Sequence, residues 1–534
     1  MPHSTVIRPS DPSLRSALWL AFFFALAKLL LHIGTTLWQV HIGVGYFRDE
    51  FYYLMCGRHL AWGYVDHGPI VAVQARIAET VFGHSLLGIR ILSMMAGAGR
   101  VFLTGILCWS LGGKRAAQAL AMLGCLCMPL YLGIDSFLSM NSFESLFWLT
   151  CLLALIMMLR DEAEGIDRQW MWWTVFGISA GIGLLNKPSM TFFLVCLALA
   201  LLVTPQRRIL FTKQASFGII LLTLIASPNL FWQIHNHWPT LEFLHNGRVG
   251  NKNIRLSPFA WILNQLVVIG PWNAFIWVAG LVHLLRRADR RWLGLTWLIL
   301  LVVMIAMGAK DYYFASIYPI LFAAGGIAWT NRFAARKAVQ QDRVFAFPVA
   351  FATIIVLTAL VLPTAIFVLP PMTFVAYAKA LHLPSSDNEN NGGHQILPQF
   401  YADRYGWQEN LDEITRIVNS LSPEDRARVG IFGGNYGDAA SLEWLGDLEH
   451  RNLPPVISQH NTYWLWGTKG LDCELIIMDR SIDPDDLRKY YKDVRVVGRV
   501  DNPLSMSYER HNIYLARGRK EPLGPDWERN KFYY

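Results

Sequence analysis

Stretches of apolar residues long enough to cross a bilayer recur along this 534-residue chain from residue 17 to about residue 367. Nothing else limits its fold as severely. In hydrocarbon every backbone polar group must be satisfied internally, so recurring spans of this length leave the α-helix as the only economical structure. About eleven such spans are predicted, centred near residues 27, 100, 123, 149, 177, 197, 223, 272, 300, 322 and 356. A content of 53% hydrophobic, 13% aromatic and 16% charged residues agrees with a membrane protein. The first run, 17–38, is long enough to span and is not followed by a small-residue cleavage site, so it is expected to be an uncleaved first span.

The connections alternate in kind. Lys114-Arg115 and the segments 160–168, 207–213, 286–291 and 332–343 are short and basic, as is the N-terminus with Arg8 and Arg15. The positive-inside rule places these in the cytoplasm. The opposite set is the first loop at 39–85, the turn 135–141, Asn186-Lys187-Pro188, the loop 235–257 and the segment 309–314. Nearly every polar motif with chemical potential falls in this outer set, although none was used to assign it. A multi-pass protein of the cytoplasmic (inner) membrane is therefore expected, with one active face on the extracytoplasmic side. The net charge of +8 is carried by the cytoplasmic clusters between apolar runs, so nucleic acid is not an expected partner and membrane lipids are.

Three regions are expected: a membrane domain at 1–370, a linker at 371–393 that ends in a polar Ser, Asp, Asn and Gly tract, and a small α/β domain at 394–534. In the last, residues 411–421 have helical apolar spacing, and 429–432, 475–478 and 494–497 read as strands. An odd number of spans puts this domain outside. The turn Gly433-Gly434-Asn435-Tyr436-Gly437 is similar to a phosphate-binding loop but completes neither glycine fingerprint, so a tight turn is the simpler reading. Five of the seven cysteines lie in apolar runs, and no disulfide framework or zinc spacing is present.

The densest polar cluster is in the first loop: Arg48-Asp49-Glu50, then Arg58-His59, then Asp66-His67-Gly68-Pro69, interleaved with Tyr46, Tyr52, Tyr53, Trp62 and Tyr64. The aromatics alone suit an interfacial belt. Carboxylates gathered beside a span invite a functional role.

These residues, with Asn141-Ser142-Phe143-Glu144, Leu185-Asn186-Lys187-Pro188, Lys310-Asp311-Tyr312-Tyr313 and Tyr318-Pro319, form an ordered set over about residues 15–335. The set resembles the GT-C membrane glycosyltransferases, above all the family 39 protein O-mannosyltransferases, the lipid A aminoarabinose transferase and related bacterial enzymes. The resemblance implies a polyprenyl-phosphate sugar donor, an acidic first-loop residue as catalytic base, and basic residues on the outer face that bind phosphate. Two departures stand out. His67 and Gly68 occupy positions where relatives often carry a lysine or a further proline, and Asn141 stands where many carry Asp, whose role could pass to Glu144.

Elementary chemistry is consistent with this. In glycosyl transfer from a lipid phosphate the leaving group, the phosphate, departs as a stable anion, so one base and some cations suffice, without a glycosidase's paired acid. Asp49 is the candidate base, preferred over Glu50 on the resemblance. Lys187, Lys310, Arg58 and His67 are candidates for holding phosphate, and Asp66, Glu144 and Tyr313 complete the expected binding residues. Glu50 would orient the acceptor or join Asp49 at a Mg²⁺ or Mn²⁺ ion, since adjacent carboxylates suit hard cations. Lysines at span ends can also simply snorkel to headgroups, and Lys28, Arg90 and Arg100 suggest structural pairing. His235 and His237 have no third metal ligand nearby, which favours a packing role. Other classes that fit such a chain are a secondary transporter, whose signature would be inverted repeats and mid-span charges, and a non-catalytic envelope scaffold.

Overall fold

The computed structural model describes residues 13–250, 256–337, 346–383 and 395–534. The polar tract, the second half of the basic segment 332–343 and Arg8 lie outside the described residues. Packing divides the chain into two compact units, Met1–Leu37 with Arg90–Leu230 and Arg255–Val368, and Trp38–Ile89 with Phe231–Ile254 and Leu369–Tyr534. The first loop thus packs with the C-terminal region.

The first unit is all helical. Ten of the eleven predicted centres fall on α-helices, the one near 272 falls on the short 3₁₀ turn Pro271–Asn273 between two helices, and the count of spans is corrected. Among the described residues six helices are long and apolar enough to cross a membrane, and eight are if each of two bent pairs is one span. The shortfall is one of length. Arg115–Leu126 has 12 residues, which at helical rise is roughly 18 Å against a hydrocarbon core of about 30 Å. The run at 258–286 bends by 88° between Pro258–Ile269 and Pro271–Arg286, with Gly270 at φ +87° in the break.

Helices Ala274–Arg286 and Tyr318–Lys337 approach backbone to backbone. A Cβ on Gly280 would stand 2.0 Å from the Leu321 carbonyl oxygen, and one on Gly325 would stand 2.0 Å from that of Ile276. Apolar attraction between helices is weak in lipid, and such small-residue contacts replace it. The charges inside the spans are paired, as expected for Lys28 and Arg100. Lys28 Nζ lies 3.2 Å from Asp135 Oδ2, and the Arg100 guanidinium bonds Asp135 Oδ1 and sits 3.7 Å over the Tyr131 ring.

The second unit is built on a five-stranded sheet, β1 (Gly430–Gly433), β2 (Val456–Ile457), β3 (Leu475–Asp479), β4 (Tyr491–Arg499) and β5 (Asn512–Arg519), in the order β2-β1-β3-β5-β4. Strands β2, β1 and β3 are parallel, while β5 runs antiparallel to both β3 and β4. β1 and β3 are buried along their whole length, which is why they read as unbroken apolar runs. The expected strands at 429–432, 475–478 and 494–497 correspond to β1, β3 and β4, and helix Trp407–Ser420 covers the expected 411–421. The first loop is itself largely helical, with helices Arg48–Arg58 and Pro69–Ile77.

Candidate functional site

In the second unit, helix Arg48–Arg58 begins at the expected acidic pair, and the two carboxylates have different surroundings. Glu50 is fully buried, and its Oε2 accepts the Phe47 backbone N–H at 2.8 Å, so it caps its own helix from the third position. Asp49, in the same first turn, keeps 28% of its side chain exposed. Its Oδ1 accepts the Tyr436 hydroxyl at 2.8 Å and lies 3.7 Å from Arg48 Nε. Among the described residues no hydrogen bond or ion pair falls on Oδ2.

With Glu50 committed to the cap, the adjacent pair does not fit a divalent cation. Among the described residues no three of His, Cys, Asp and Glu converge as a metal site.

Asp66 and His67 are placed by the same helix. Asp66 Oδ1 accepts the Tyr52 hydroxyl at 2.7 Å, and Tyr52 in turn lies 2.6 Å from Thr462 Oγ1. Burial pushes the Asp66 carboxyl above its ordinary range, and the charge of Asp49 adds to this; His67 and the Tyr52 hydrogen bond oppose it. His67 is 2% exposed and stacks on Tyr64 at 4.6 Å. Its Nδ1 lies 2.8 Å from the Gly68 carbonyl oxygen, a spacing that requires the ring to donate there. Burial pushes its pKa below the usual histidine value, only partly offset by Asp66. It is a neutral packing element, which suits phosphate poorly. Arg58 is held by Glu79 at 3.0 Å and by Asp447 at 2.7 Å, with its guanidinium 4.5 Å over Trp444. It borders a cleft of about 560 Å³ lined also by His59, Trp466 and Lys469.

The first unit brings together a second group of expected residues. Lys187 Nζ donates to Asn141 Oδ1 at 2.8 Å and lies 3.4 Å from Glu144 Oε2. Its ammonium sits 3.9 Å over the Tyr313 ring. The Ser189 hydroxyl donates to Glu144 Oε1, and the Ser316 hydroxyl donates to Oε2 at 3.2 Å. Lys187 is 5% exposed, which replaces the simple snorkelling picture with a hydrogen-bonded ion pair under an aromatic lid. Asn141, the departure from the expected Asp, is a direct partner of the lysine, so among the described residues Glu144 supplies the only carboxylate within ion-pair range of it. Lys310 is half-buried and precedes the short helical turn Asp311–Ile317, which carries Tyr313.

Tyr436 was not among the expected site residues. The signal for it was the Gly-Gly-Asn-Tyr-Gly turn, which places a tyrosine at the first position of helix Tyr436–Leu448.

Comparison with known proteins agrees with this picture. Residues 66–232 match the family described as dolichyl-phosphate-mannose-protein mannosyltransferase. A lipid A galacturonosyltransferase, RgtD of Rhizobium johnstonii, is 26% identical over 305 residues, which are 53% of this chain and 61% of that protein. The chain thus spans about six tenths of that relative's length. ArnT of Cupriavidus metallidurans bound to undecaprenyl phosphate superposes with a TM-score of 0.54 at 14% identity, over 91% of this chain and 97% of ArnT. Its apo form gives 0.53 at 14% identity, over 92% and 98%. The chain is a polytopic membrane protein with an ArnT-like fold, and its residues 66–232 match the dolichyl-phosphate-mannose-protein mannosyltransferase family.

Proposed function

We propose that this protein is a glycosyltransferase that moves a sugar from a polyprenyl-phosphate donor to an envelope acceptor at the outer face of the cytoplasmic membrane, with inversion at the anomeric carbon. The observation that carries the reading is the state of Asp49. It is a partly exposed carboxylate at a helix N-terminus, anchored through one oxygen with no hydrogen bond or ion pair on the other among the described residues. That is what a general base needs in order to be both fixed and reachable. The resemblance over residues 66–232 and the solved structure of ArnT with undecaprenyl phosphate support the donor class.

In the proposed step Asp49 takes the proton of an acceptor hydroxyl as its oxygen attacks the anomeric carbon opposite the phosphate. The bond from that carbon to the phosphate oxygen breaks, and its electron pair leaves with polyprenyl phosphate. The resemblance assigns Lys187 and Lys310 to the donor phosphate, whose leaving oxygen gains charge in this step. Glu144 sets the position of Lys187, while the loop around Arg58, Asp66 and His67 shapes the support of the base.

The test is turnover of the purified protein in lipid against a panel of polyprenyl-phosphate sugars, including uronic acid and amino sugars. Acceptors should begin with a lipid A-type glycolipid, in view of the RgtD relative. Release of free polyprenyl phosphate with an inverted product is expected. Gradient-driven uptake of a solute by the same vesicles, with no polyprenyl phosphate released from any donor, would favour a transporter instead.

A further inference from the structure

In a parallel α/β sheet, ligands gather at the carboxyl ends of the strands and at the N-terminus of the helix that follows, where backbone N–H groups are unsatisfied. The Gly-Gly-Asn-Tyr-Gly turn lies at such a place, between β1 and helix Tyr436–Leu448. Here those donors are already used. Asn435 Oδ1 accepts the Gly437 and Asp438 N–H groups at 2.7 and 3.2 Å, and the Tyr436 N–H is directed to His460 Nδ1 at 3.3 Å. The Asp438 carboxylate, 2% exposed, completes a capping box on Asn435. A phosphate would meet no free amides and a nearby carboxylate.

What occupies this edge is the first loop. The Arg48 stem lies on Gly437, where a Cβ would come 2.5 Å from Arg48 Cγ, and this explains a glycine in the first turn of a helix, where it is otherwise unfavourable. The Tyr436 ring is 8% exposed, 4.6 Å from the Tyr52 ring and 4.9 Å from that of His460, with the Arg48 guanidinium 5.4 Å above it. A ring hemmed in on these sides has little rotamer freedom left, and its hydroxyl is fixed 2.8 Å from Asp49 Oδ1.

We infer that the C-terminal α/β region belongs to the catalytic apparatus, with Tyr436 a positioning residue that holds the carboxylate of Asp49 and leaves Oδ2 turned to the acceptor proton. This rests on the reading of Asp49 as the base. It gives the turn a use that is neither nucleotide binding nor mere chain reversal.

The experiment measures turnover of full-length protein in lipid for wild type, Tyr436→Phe, Asp49→Asn and the double variant, with donor binding and the thermal midpoint recorded for each. Tyr436→Phe is expected to lower kcat by roughly 10- to 100-fold, as small misplacements of reacting groups do, with donor KM and thermal midpoint near wild type. In the Asp49→Asn background the same change should cost nothing further, because Tyr436 acts only through Asp49. Inactive Asp49→Asn with normal kcat in Tyr436→Phe overturns the proposal and leaves the base intact. So does a double variant that loses the full product of the two single effects. Normal turnover in Asp49→Asn removes the base reading and this inference with it.

Discussion

The Lys187 ammonium is held 3.9 Å over the Tyr313 ring while Glu144 faces it from 3.4 Å. A buried pair of this kind serves two ends, keeping the fold together and holding the cation in place. Removing one partner leaves the other stranded, at a cost of roughly 3 to 5 kcal/mol when nothing else compensates it. Lys187→Met should therefore lower both thermal midpoint and donor affinity, with the loss of stability moderated by the Ser189 and Ser316 hydroxyls on Glu144. The double variant Lys187→Met with Glu144→Gln separates the two ends. It should regain stability relative to the single lysine variant but not donor binding. Recovery of donor binding in the double variant would reduce Lys187 to a structural role.

The neighbouring carboxylates of the first loop should part in the same way. Glu50→Gln weakens the cap on helix Arg48–Arg58, and a lost cap costs about 0.5 to 2 kcal/mol, so the thermal midpoint should fall with kcat only modestly affected. Asp49→Asn leaves the fold stable and lowers kcat by roughly 10² to 10⁴, the range for a lost general base. The opposite pattern, with an inactive and stable Glu50→Gln, would move the base by one residue.

Much of this was legible from the chain because apolar periodicity and charge placement report burial directly. Ten of the eleven helix positions and strands β1, β3 and β4 followed from the apolar pattern. The number of spans did not, since a run such as 115–126 signals a buried apolar helix as strongly as a crossing one. Strand β5 was missed because Asn512, Arg517, Gly518 and Arg519 mask an interior of Ile513 to Ala516 that lies between β3 and β4. Asp49 and Glu50 cannot be ranked by spacing; only the cap geometry separates them. Tyr436 is 387 residues from its partner, and no local pattern links such positions.

Orientation in the membrane gives a third expectation. Reporters fused after Lys114, Arg208, Arg291 and Arg336 should be cytoplasmic, since basic connections are retained on that side, while a reporter at the C-terminus should be exported, because the α/β region packs with the first loop, which the charge pattern places outside. Proteolysis of sealed vesicles of known orientation checks the same point. A cytoplasmic C-terminus would put the first loop on that side together with the α/β region it packs with, and so overturn the proposed outer active face.

The last expectation concerns pH, where two buried histidines of the second unit act in opposite senses. For His511 burial alone would push the pKa down, but the hydrogen bond to Asp479, at 2.9 Å, and the charges of Asp479 and Glu509 outweigh it, so the folded value is raised. A raised value means that the folded state holds the proton more tightly. This contribution to stability is complete below the unfolded value of about 6.5 and is lost as pH rises through the folded value. For His67 burial leads and the folded value is depressed. The unfolded chain then takes up the proton first, and stability falls as pH drops below about 6.5. Together the two give stability that declines on both sides of that pH. In full-length protein, His511→Gln, whose amide stands near the Nε2 position, should flatten the alkaline side only. His67→Asn, whose amide can keep the bond to the Gly68 carbonyl, should flatten the acid side only. Thermal midpoints from pH 5.5 to 8.5 measure both slopes. An alkaline slope unchanged in His511→Gln would mean that the Asp479 pair does not carry the proton in the folded state.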